Sequence, residues 1–286
     1  MSKTDFTPAE AAVRSVLKKY RKEIWAPFIS AIKEYRLIEE GDVIGVCISG
    51  GKDSALLAVL MKQLQRYSDV PFRCEFICMD PGYSPDNRRR IEKNMALLEI
   101  PVHIFETNIF RVTSKTDKSP CYLCARMRRG HLYSFAKSLG CNKIALGHHF
   151  SDVIETTLMG MLWGAQIQAM LPKLHSTNFE GMELIRPLYK VHEDHIIAWA
   201  RYNSLSFLAC ACVMTESANL DENASKRRQT KMLIRELKKD CPDVEKNIFN
   251  SIHKANIDTM VGYKRFGVLH SFLEDYDRIT EQEDEQ

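Results

Sequence analysis

The chain has 286 residues, of which 45% are hydrophobic, and a formal net charge of +3. This length can bury a large core and favours one main domain with an appendage. No stretch approaches 18 consecutive apolar residues and the N-terminus lacks a signal-peptide pattern, so we predict a cytoplasmic protein that does not act at a membrane. Its nine cysteines are then expected to be reduced, and clustered ones are candidates for metal or redox chemistry.

The first forty residues are predicted to form a helical segment. Thr7-Pro8-Ala9-Glu10 combines an N-cap, a proline in the first turn and the glutamate of a capping box. Apolar residues at helical spacing then indicate a helix of about 17 residues. We expect this helix to break at Pro27, with a second helix over residues 28–35.

Strands and helices alternate over residues 41–190. The predicted strands cover residues 43–48, 72–79, 102–105 and 143–147. The predicted helices cover residues 53–64, 85–98, 121–139 and 153–162. This order predicts an α/β domain with a doubly wound, mainly parallel sheet and ligands at the carboxyl ends of its strands. A mainly helical region follows over residues 191–274, and residues 275–286 form an acidic tail.

The run Ser49-Gly50-Gly51-Lys52-Asp53-Ser54 lies between a buried strand and a helix. Gly50 and Gly51 tolerate positive φ and leave room for an anion, and the amides at the start of a helix attract one. A Walker A loop would need glycine in place of Val46 and Ser or Thr in place of Asp53. The run therefore predicts a different phosphate-binding loop, and the alternative is an ordinary Gly-Gly turn.

Three carboxylates follow predicted strands, and we expect Asp53, Asp80 and Asp152 to converge at one edge of the sheet. Carboxylates beside phosphates repel them unless a cation intervenes, so the pattern indicates Mg²⁺. Asp80 could instead be a turn former, and Asp152 a neighbour of a helix N-cap. The adjacent His148 and His149 are not expected to bind one zinc ion, because consecutive side chains of an extended segment point to opposite faces.

A C-x-x-C motif, Cys121 and Cys124, opens an arginine-rich helix. It could be a thioredoxin-like dithiol, although that motif belongs to a smaller fold. A structural zinc site would need four ligands, and Cys210 and Cys212 do not have zinc-ribbon spacing. An iron–sulfur cluster on Cys121, Cys124 and either Cys210 or Cys212 fits best. Residues 207–209 are predicted to end a strand, which would direct both later cysteines to one side.

A basic cluster follows in the C-terminal part. On a helix, four of its residues would form a stripe suited to a phosphate backbone. The alternative is a solvated helix face. The cluster comprises Lys226, Arg227, Arg228, Lys231, Arg235, Lys238 and Lys239, and the stripe comprises Arg227, Lys231, Arg235 and Lys238.

With these motifs in hand, the chain resembles the tRNA 2-thiocytidine synthetase family of PP-loop ATP pyrophosphatases. The similarity covers residues 44–234. It extends through residues 121–130, 143–149, 170–174, 185–188 and 228–229 as well as the loop at residues 49–54.

The resemblance implies an enzyme that uses ATP to adenylate a pyrimidine C2 oxygen in tRNA, that of a cytidine in the anticodon loop, and replaces this oxygen with sulfur. It implies a [4Fe-4S] cluster on three cysteines, the third aligning best with Cys210. The sulfur donor would be a cysteine desulfurase persulfide or free sulfide. Catalytic roles fall on Lys52, Asp53 and Asp152, with Mg²⁺ on the two aspartates. The implied nucleotide site comprises Ser49, Gly50, Gly51, Lys52, Asp53, Ser54, Met79, Asp80, Gly147 and His148.

The chain departs from the family pattern at two places. Ser151 stands where the family usually has the first of two aspartates, and Cys210-Ala211-Cys212 replaces a C-x-x-C. Two other classes of function stay open. They are a PP-loop tRNA-modifying ligase or thiouridine synthetase, and a non-catalytic iron–sulfur or nucleic-acid-binding module. The sequence is also compatible with a homodimer.

Overall fold

A computed structural model describes residues 6–113, 120–208 and 222–276. The chain forms two compact units that divide between Leu233 and Ile234. Within the described ranges, none of the helices combines the length and the apolar character that crossing a bilayer requires.

The first unit is built on a six-stranded sheet with strand order β3-β2-β1-β4-β6-β5. All neighbouring strands are parallel except β5, which runs antiparallel to β6 at one edge. The predicted doubly wound, mainly parallel α/β fold is thus confirmed. The strands are β1 Val43–Ile48, β2 Arg73–Asp80, β3 Val102–Glu106, β4 Lys143–Ala145, β5 Lys173–His175 and β6 Glu183–Ile185.

Helices flank this sheet. The central β1 is buried almost throughout, and the largest core cluster includes Phe28, Leu57 and Trp199, none of which is exposed. The helices are α1 Pro8–Leu17, α2 Ala26–Glu34, α3 Lys52–Tyr67, α4 Pro85–Leu97, α5 Ile109–Thr113, α6 Pro120–Ser138, α7 Phe150–Gly164, α8 Glu193–Tyr202 and α9 Glu222–Asp240.

The N-terminal helices differ from the prediction. The helix ends at Leu17, and a π-helical turn, Arg21–Trp25, leads directly into α2. Pro27 lies in the first turn of α2 instead of breaking a helix. A proline is tolerated there because the first amides of a helix have no intrahelical acceptor. The capping box of Thr7 and Glu10 is confirmed by both of its hydrogen bonds.

Two further differences from the sequence analysis concern strands. Strands β5 and β6 were not predicted, because three residues are too few to show a periodicity. The segment 207–208 is in no strand, so the described part of the strand predicted at 207–209 is wrong. Instead, the Leu208 amide donates a hydrogen bond to the Gly50 carbonyl at 3.2 Å, which ties this segment to the phosphate-binding loop.

The second unit contains the end of α9, a short helix α10, Val244–Ser251, and a hairpin of β7, Gly262–Arg265, and β8, Val268–Ser271. The hairpin is a non-helical element within the region predicted to be mainly helical. Its turn places Phe266 at φ 48° and Gly267 at φ 86°, as a type I′ turn requires. Sequences of such turns usually have Asn-Gly at these two positions. Because Phe266 replaces the asparagine, the sequence does not predict the hairpin.

Candidate functional site

The loop after β1 has the geometry of an anion cradle. Gly50 has φ +83°, and a Cβ atom there would lie 2.8 Å from Cγ1 of Ile91. The Ser54 hydroxyl donates to the Gly51 carbonyl at 3.0 Å and accepts from the Ser49 amide at 3.1 Å. These bonds fix the turn just before the amino terminus of α3, where the helix dipole favours negative charge.

The end of β4 closes against the same helix terminus. A Cβ atom on Gly147 would lie 3.1 Å from the Ser54 backbone nitrogen and 3.2 Å from the Asp53 carbonyl carbon. Gly147 therefore permits a close backbone approach that no other residue allows without a shift. This approach brings residues 147–149 beside the phosphate-binding loop.

Asp53 is the carboxylate most clearly suited to a cation. Its Oδ1 atom is buried and receives no hydrogen bond from the described residues. Lys52 Nζ lies 3.1 Å from this oxygen and His149 Nε2 lies 3.7 Å away, both without hydrogen-bond geometry. A buried carboxylate oxygen left unsatisfied is costly, and a divalent cation would satisfy it.

Asp152 lies at the start of α7. The His149 amide donates to its Oδ2 atom at 3.0 Å, and His149 Nδ1 accepts from the Asp152 amide at 3.4 Å. Arg227 contacts the other oxygen at 3.4 Å. Asp152 is thus both part of a capping box and a charged group facing the site. Within the described ranges no three His, Cys, Asp or Glu side chains form a metal-binding group, but Mg²⁺ with phosphate oxygens needs only one or two carboxylates.

Asp80 has a different environment. Its Oδ1 accepts from the Gly82 and Tyr83 amides at 2.8 and 2.7 Å, and its Oδ2 from Arg88 at 2.7 Å. Burial opposes ionisation of this carboxyl, but the bonds from Tyr83, Arg88 and Gly82 lower its pKa. These contacts are those of a turn former, so the predicted nucleotide-binding role of Asp80 stays a prediction.

Glu193, in the first turn of α8, was not identified from the sequence. It accepts from Lys52 Nζ at 3.0 Å and is also paired with Lys231. Burial raises the pKa of Glu193, but the hydrogen bonds and charges of the two lysines outweigh this effect and lower it to about 2. Acidic residues are common in first helical turns, so its sequence position carries no distinguishing signal.

Two clefts meet at the phosphate-binding loop. One, here called the β4 cleft, has a volume of about 410 Å³. The other, called the α8 cleft, has a volume of about 480 Å³. Both are lined by Ser49, Asp53 and Arg128. The β4 cleft also contains Ser54, Met79, Leu132, Leu146, Gly147, His148 and Asp152, and the α8 cleft contains Lys52, Tyr83, Phe110, Arg201, Phe207 and Leu208.

His148 is neutral in this environment. Arg186 Nε donates to its Nδ1 at 3.3 Å. Burial is the main reason that the pKa of His148 falls to about 4, with the Arg186 and Arg227 charges acting in the same direction against Asp152. A neutral imidazole beside the loop suits a hydrogen-bonding role better than a phosphate-binding one.

The cysteine ligands are described only in part. Cys124 is partly buried on α6, one helical turn before Arg128, so the two side chains share a helix face. Cys121 belongs to the same helix, but its side chain lies outside the described residues, as do Cys210 and Cys212. Burial raises the pKa of Cys47 and Cys78 to about 12, as expected for core thiols.

The basic stripe on α9 is divided between two environments. Arg227 pairs with Asp152 and, at 3.7 Å, with Glu155, while Lys231 pairs with Glu193. Arg235 is exposed. Two of the four predicted phosphate-backbone contacts therefore point at carboxylates of the site.

A family model and individual relatives both match most of this chain. The PP-loop domain family matches residues 22–229. The tRNA-cytidine(32) 2-sulfurtransferase of Geotalea uraniireducens (strain Rf4) is 36% identical over 231 residues, which cover 79% of this chain and 88% of that protein. That of Paracidovorax citrulli (strain AAC00-1) is 32% identical over 277 residues, covering 94% and 86%.

A solved structure shares the fold. The U34-tRNA thiolase NcsA from Methanococcus maripaludis, determined with its [4Fe-4S] cluster, superposes with a TM-score of 0.63 over 80% of this chain and 77% of that chain. The sequences are 20% identical, so this similarity concerns the fold alone.

Proposed function

Because this chain belongs to the tRNA-cytidine(32) 2-sulfurtransferase family of PP-loop proteins, we propose that it thiolates tRNA with the use of ATP. Its substrate would be a cytidine whose C2 oxygen is replaced by sulfur. The observation that carries the proposal is the pair of clefts that share Ser49, Asp53 and Arg128. One cleft can hold a nucleotide and the other a nucleobase, with the loop between them.

The β4 cleft suits ATP. Met79, Leu132 and Leu146 provide apolar surface for an adenine ring, while Ser49 and Ser54 belong to the loop that would bind phosphates. Asp53 and Asp152, in the same cleft, would hold Mg²⁺ and thereby neutralise phosphate charge.

The α8 cleft suits a base extruded from RNA. Tyr83 and Phe110 pack edge to face with centroids 6.2 Å apart, and Phe207 lines the same cleft. Aromatic rings and arginine planes stack on unpaired bases, and Arg128 and Arg201 supply the latter. Arg235 and Lys238, which are exposed residues of the basic stripe on α9, would bind the tRNA backbone.

The proposed chemistry has two steps. The C2 oxygen of the base attacks the α-phosphorus of ATP, and the bond from that phosphorus to the bridging α–β oxygen breaks to release pyrophosphate. Hydrosulfide then adds to C2, the C2–O bond breaks to release AMP with the original oxygen, and loss of the S–H proton leaves the 2-thio group. Lys52 and the amides of the loop would stabilise the negative charge that develops on pyrophosphate.

Cys121, Cys124 and Cys210 would hold a [4Fe-4S] cluster, which would supply a binding site for sulfide. A persulfide donor would first have to release its outer sulfur as sulfide by reduction with two electrons from a thiol. Two features support this location of the cluster. Cys124 shares a helix face with Arg128, which lines both clefts, and Leu208, which lines the α8 cleft and not the β4 cleft, precedes Cys210 by two residues. The cluster would therefore lie beside the base instead of beside the adenine.

The test uses the anaerobically purified protein with tRNA, Mg²⁺-ATP and sulfide. Mass spectrometry of digested nucleosides should show 2-thiocytidine, with one AMP and one pyrophosphate formed for each sulfur inserted. A thiouridine product would transfer the assignment to a thiouridine synthetase. AMP release without sulfur insertion by a colourless protein would indicate a ligase, and an iron-containing protein inert toward ATP would indicate a non-catalytic module.

The third cluster ligand is tested by matched cysteine variants. Cys121→Ala, Cys124→Ala and Cys210→Ala should each lose iron and thiolation, while ATP binding persists because the loop is intact. Cys212→Ala is the control and should keep its iron. Iron retained by Cys210→Ala and lost by Cys212→Ala would reverse the assignment, and iron retained by both would refute the three-cysteine site.

A further inference from the structure

The amino-terminal half of α9 reaches the site from the far part of the chain. Lys231 Nζ pairs with Glu193, and Arg227 pairs with Asp152 and Glu155. A helix that only bound RNA would direct these cations to solvent. Here they lie among the carboxylates that surround the phosphate-binding loop.

Glu193 links this helix to the loop itself. One of its oxygens accepts from Lys52 Nζ at 3.0 Å, and the other contacts Lys231 Nζ. Because both ammonium groups bind oxygens of one carboxylate, their nitrogens are within about 8 Å of each other. That separation is within the reach of a single triphosphate chain.

The charges around the loop are nearly balanced before any phosphate arrives. Four carboxylates face three cations, but burial raises the pKa of Glu155 to about 7, so this carboxyl is partly protonated near neutral pH. Even with Mg²⁺ on Asp53 and Asp152, an added triphosphate favours ammonium groups that can turn from a carboxylate to phosphate. The group comprises Asp53, Asp152, Glu155 and Glu193 with Lys52, Arg227 and Lys231.

We infer that Lys231 is a phosphate-binding residue of the nucleotide site and that Glu193 holds Lys231 and Lys52 beside the loop. A polyphosphate competes with Glu193 for both ammonium groups. The inference rests on the ATP-binding part of the proposed function alone, since it concerns nucleotide affinity and not sulfur transfer. It removes Lys231 from the set of tRNA backbone contacts predicted for α9.

Calorimetry of the full-length protein with α,β-methylene ATP and Mg²⁺ tests this role. Lys231→Ala should weaken binding of the analogue about 10- to 100-fold, as expected for a lost charge-assisted contact, and leave adenosine binding unchanged. The matched control is Lys239→Ala, which removes the same charge from an exposed position of the same helix, where Lys239 pairs with Glu236 at 2.6 Å. It should bind the analogue as the wild type does.

Glu193→Gln separates direct contact from an effect passed through Glu193. Glutamine keeps the side-chain length and one oxygen that can accept from a lysine, but it lacks the negative charge that competes with phosphate. Analogue binding should therefore stay at the wild-type level or tighten. The double variant with both Glu193→Gln and Lys231→Ala should then bind the analogue more weakly than Glu193→Gln alone. Equal weakening by Lys231→Ala and Glu193→Gln, or no further loss in the double variant, would overturn the inference.

A tRNA-binding titration over a range of salt concentrations gives the opposing test. If Lys231 contacts RNA backbone, Lys231→Ala should lower the salt slope of tRNA binding by about one and leave analogue binding intact. That result would also overturn the inference. Failure to form 2-thiocytidine would refute the proposed function but would not affect these binding measurements.

Discussion

The two ends of the parallel sheet contain similar charged residues in opposite conditions. At the amino end, Lys143 is only 2% exposed and contacts Asp42 at 2.9 Å, with Glu39 and Glu183 each at 3.3 Å. Asn142 adds a hydrogen bond to Asp42 at 2.7 Å. Every charge of this cluster has a partner within the protein.

At the carboxyl end, the charges are left with unused capacity. Asp53 keeps a buried oxygen that no described residue hydrogen-bonds, and the cations Lys52 and Lys231 share one carboxylate. Partners on flexible side chains can be exchanged for a ligand, whereas a closed cluster cannot. The charged cluster at the amino end of the sheet therefore stabilises the fold, whereas the charges at the carboxyl end are available to bind a ligand.

The largest effect is expected at Lys143. Lys143→Ala leaves Asp42 buried without its cation, which should lower the free energy of unfolding by about 3–5 kcal/mol. Urea denaturation measures this, with the exposed Lys33→Ala as a control expected within about 0.5 kcal/mol of the wild type. A loss below about 1 kcal/mol for Lys143→Ala would mean that the amino-end cluster is not structural.

Lys52→Ala should show the reverse pattern. Loss of its charge from the phosphate-binding loop should slow pyrophosphate release about 10²- to 10³-fold, because Lys52 would stabilise the leaving group. Its melting temperature should stay near that of the wild type, since the side chain is partly exposed. A kinetic assay for pyrophosphate measures the catalytic effect, and a thermal melt measures the effect on stability. Full activity of Lys52→Ala would show that Lys52 does not take part in catalysis.

Gly147→Ala should disturb the contact between β4 and the start of α3. The new Cβ would lie 3.1 Å from the Ser54 nitrogen, which forces a backbone shift that should cost about 1–3 kcal/mol and weaken ATP binding. Gly130→Ala is the control, because open space surrounds that position in α6. It should stabilise the protein by up to about 1 kcal/mol. Chemical denaturation and nucleotide titration compare the two variants.

The smallest effect concerns pH. Burial is the main cause that raises the pKa of Glu155 from 4.5 to about 7. Between these values the native state holds a proton that the unfolded chain releases, so the contribution of Glu155 to stability should fall as the pH rises through this window. His148, whose pKa is lowered by burial, contributes in the opposite direction. Glu155→Gln should remove this contribution of Glu155, which is at most about 1.4 kcal/mol per pH unit, so the difference in stability between variant and wild type should change across the window. The exposed Glu40→Gln should retain the contribution, and identical profiles for wild type and Glu155→Gln would refute the shift.

Much of the fold could be predicted because its signals are local. The buried strand before Ser49, the two glycines and the helix after them are neighbours in sequence, so their spacing alone indicates the phosphate-binding loop. The alternation of strands and helices likewise predicted the parallel sheet. The C-x-x-C at Cys121 and Cys124 is a local signal of the same kind.

The tertiary structure decided which charges belong to the site. Glu193 binds Lys52 across 141 positions of the chain, and no local pattern distinguishes it from other acidic residues in first helical turns. By sequence alone, Lys231 and Arg227 belong to a solvated or RNA-binding stripe. In the structure they contact the carboxylates of Glu193, Asp152 and Glu155. Asp80 shared the strand-end position of the other aspartates, but its turn and Arg88 occupy both oxygens. Pairing between distant side chains depends on packing, which periodicity and spacing do not encode.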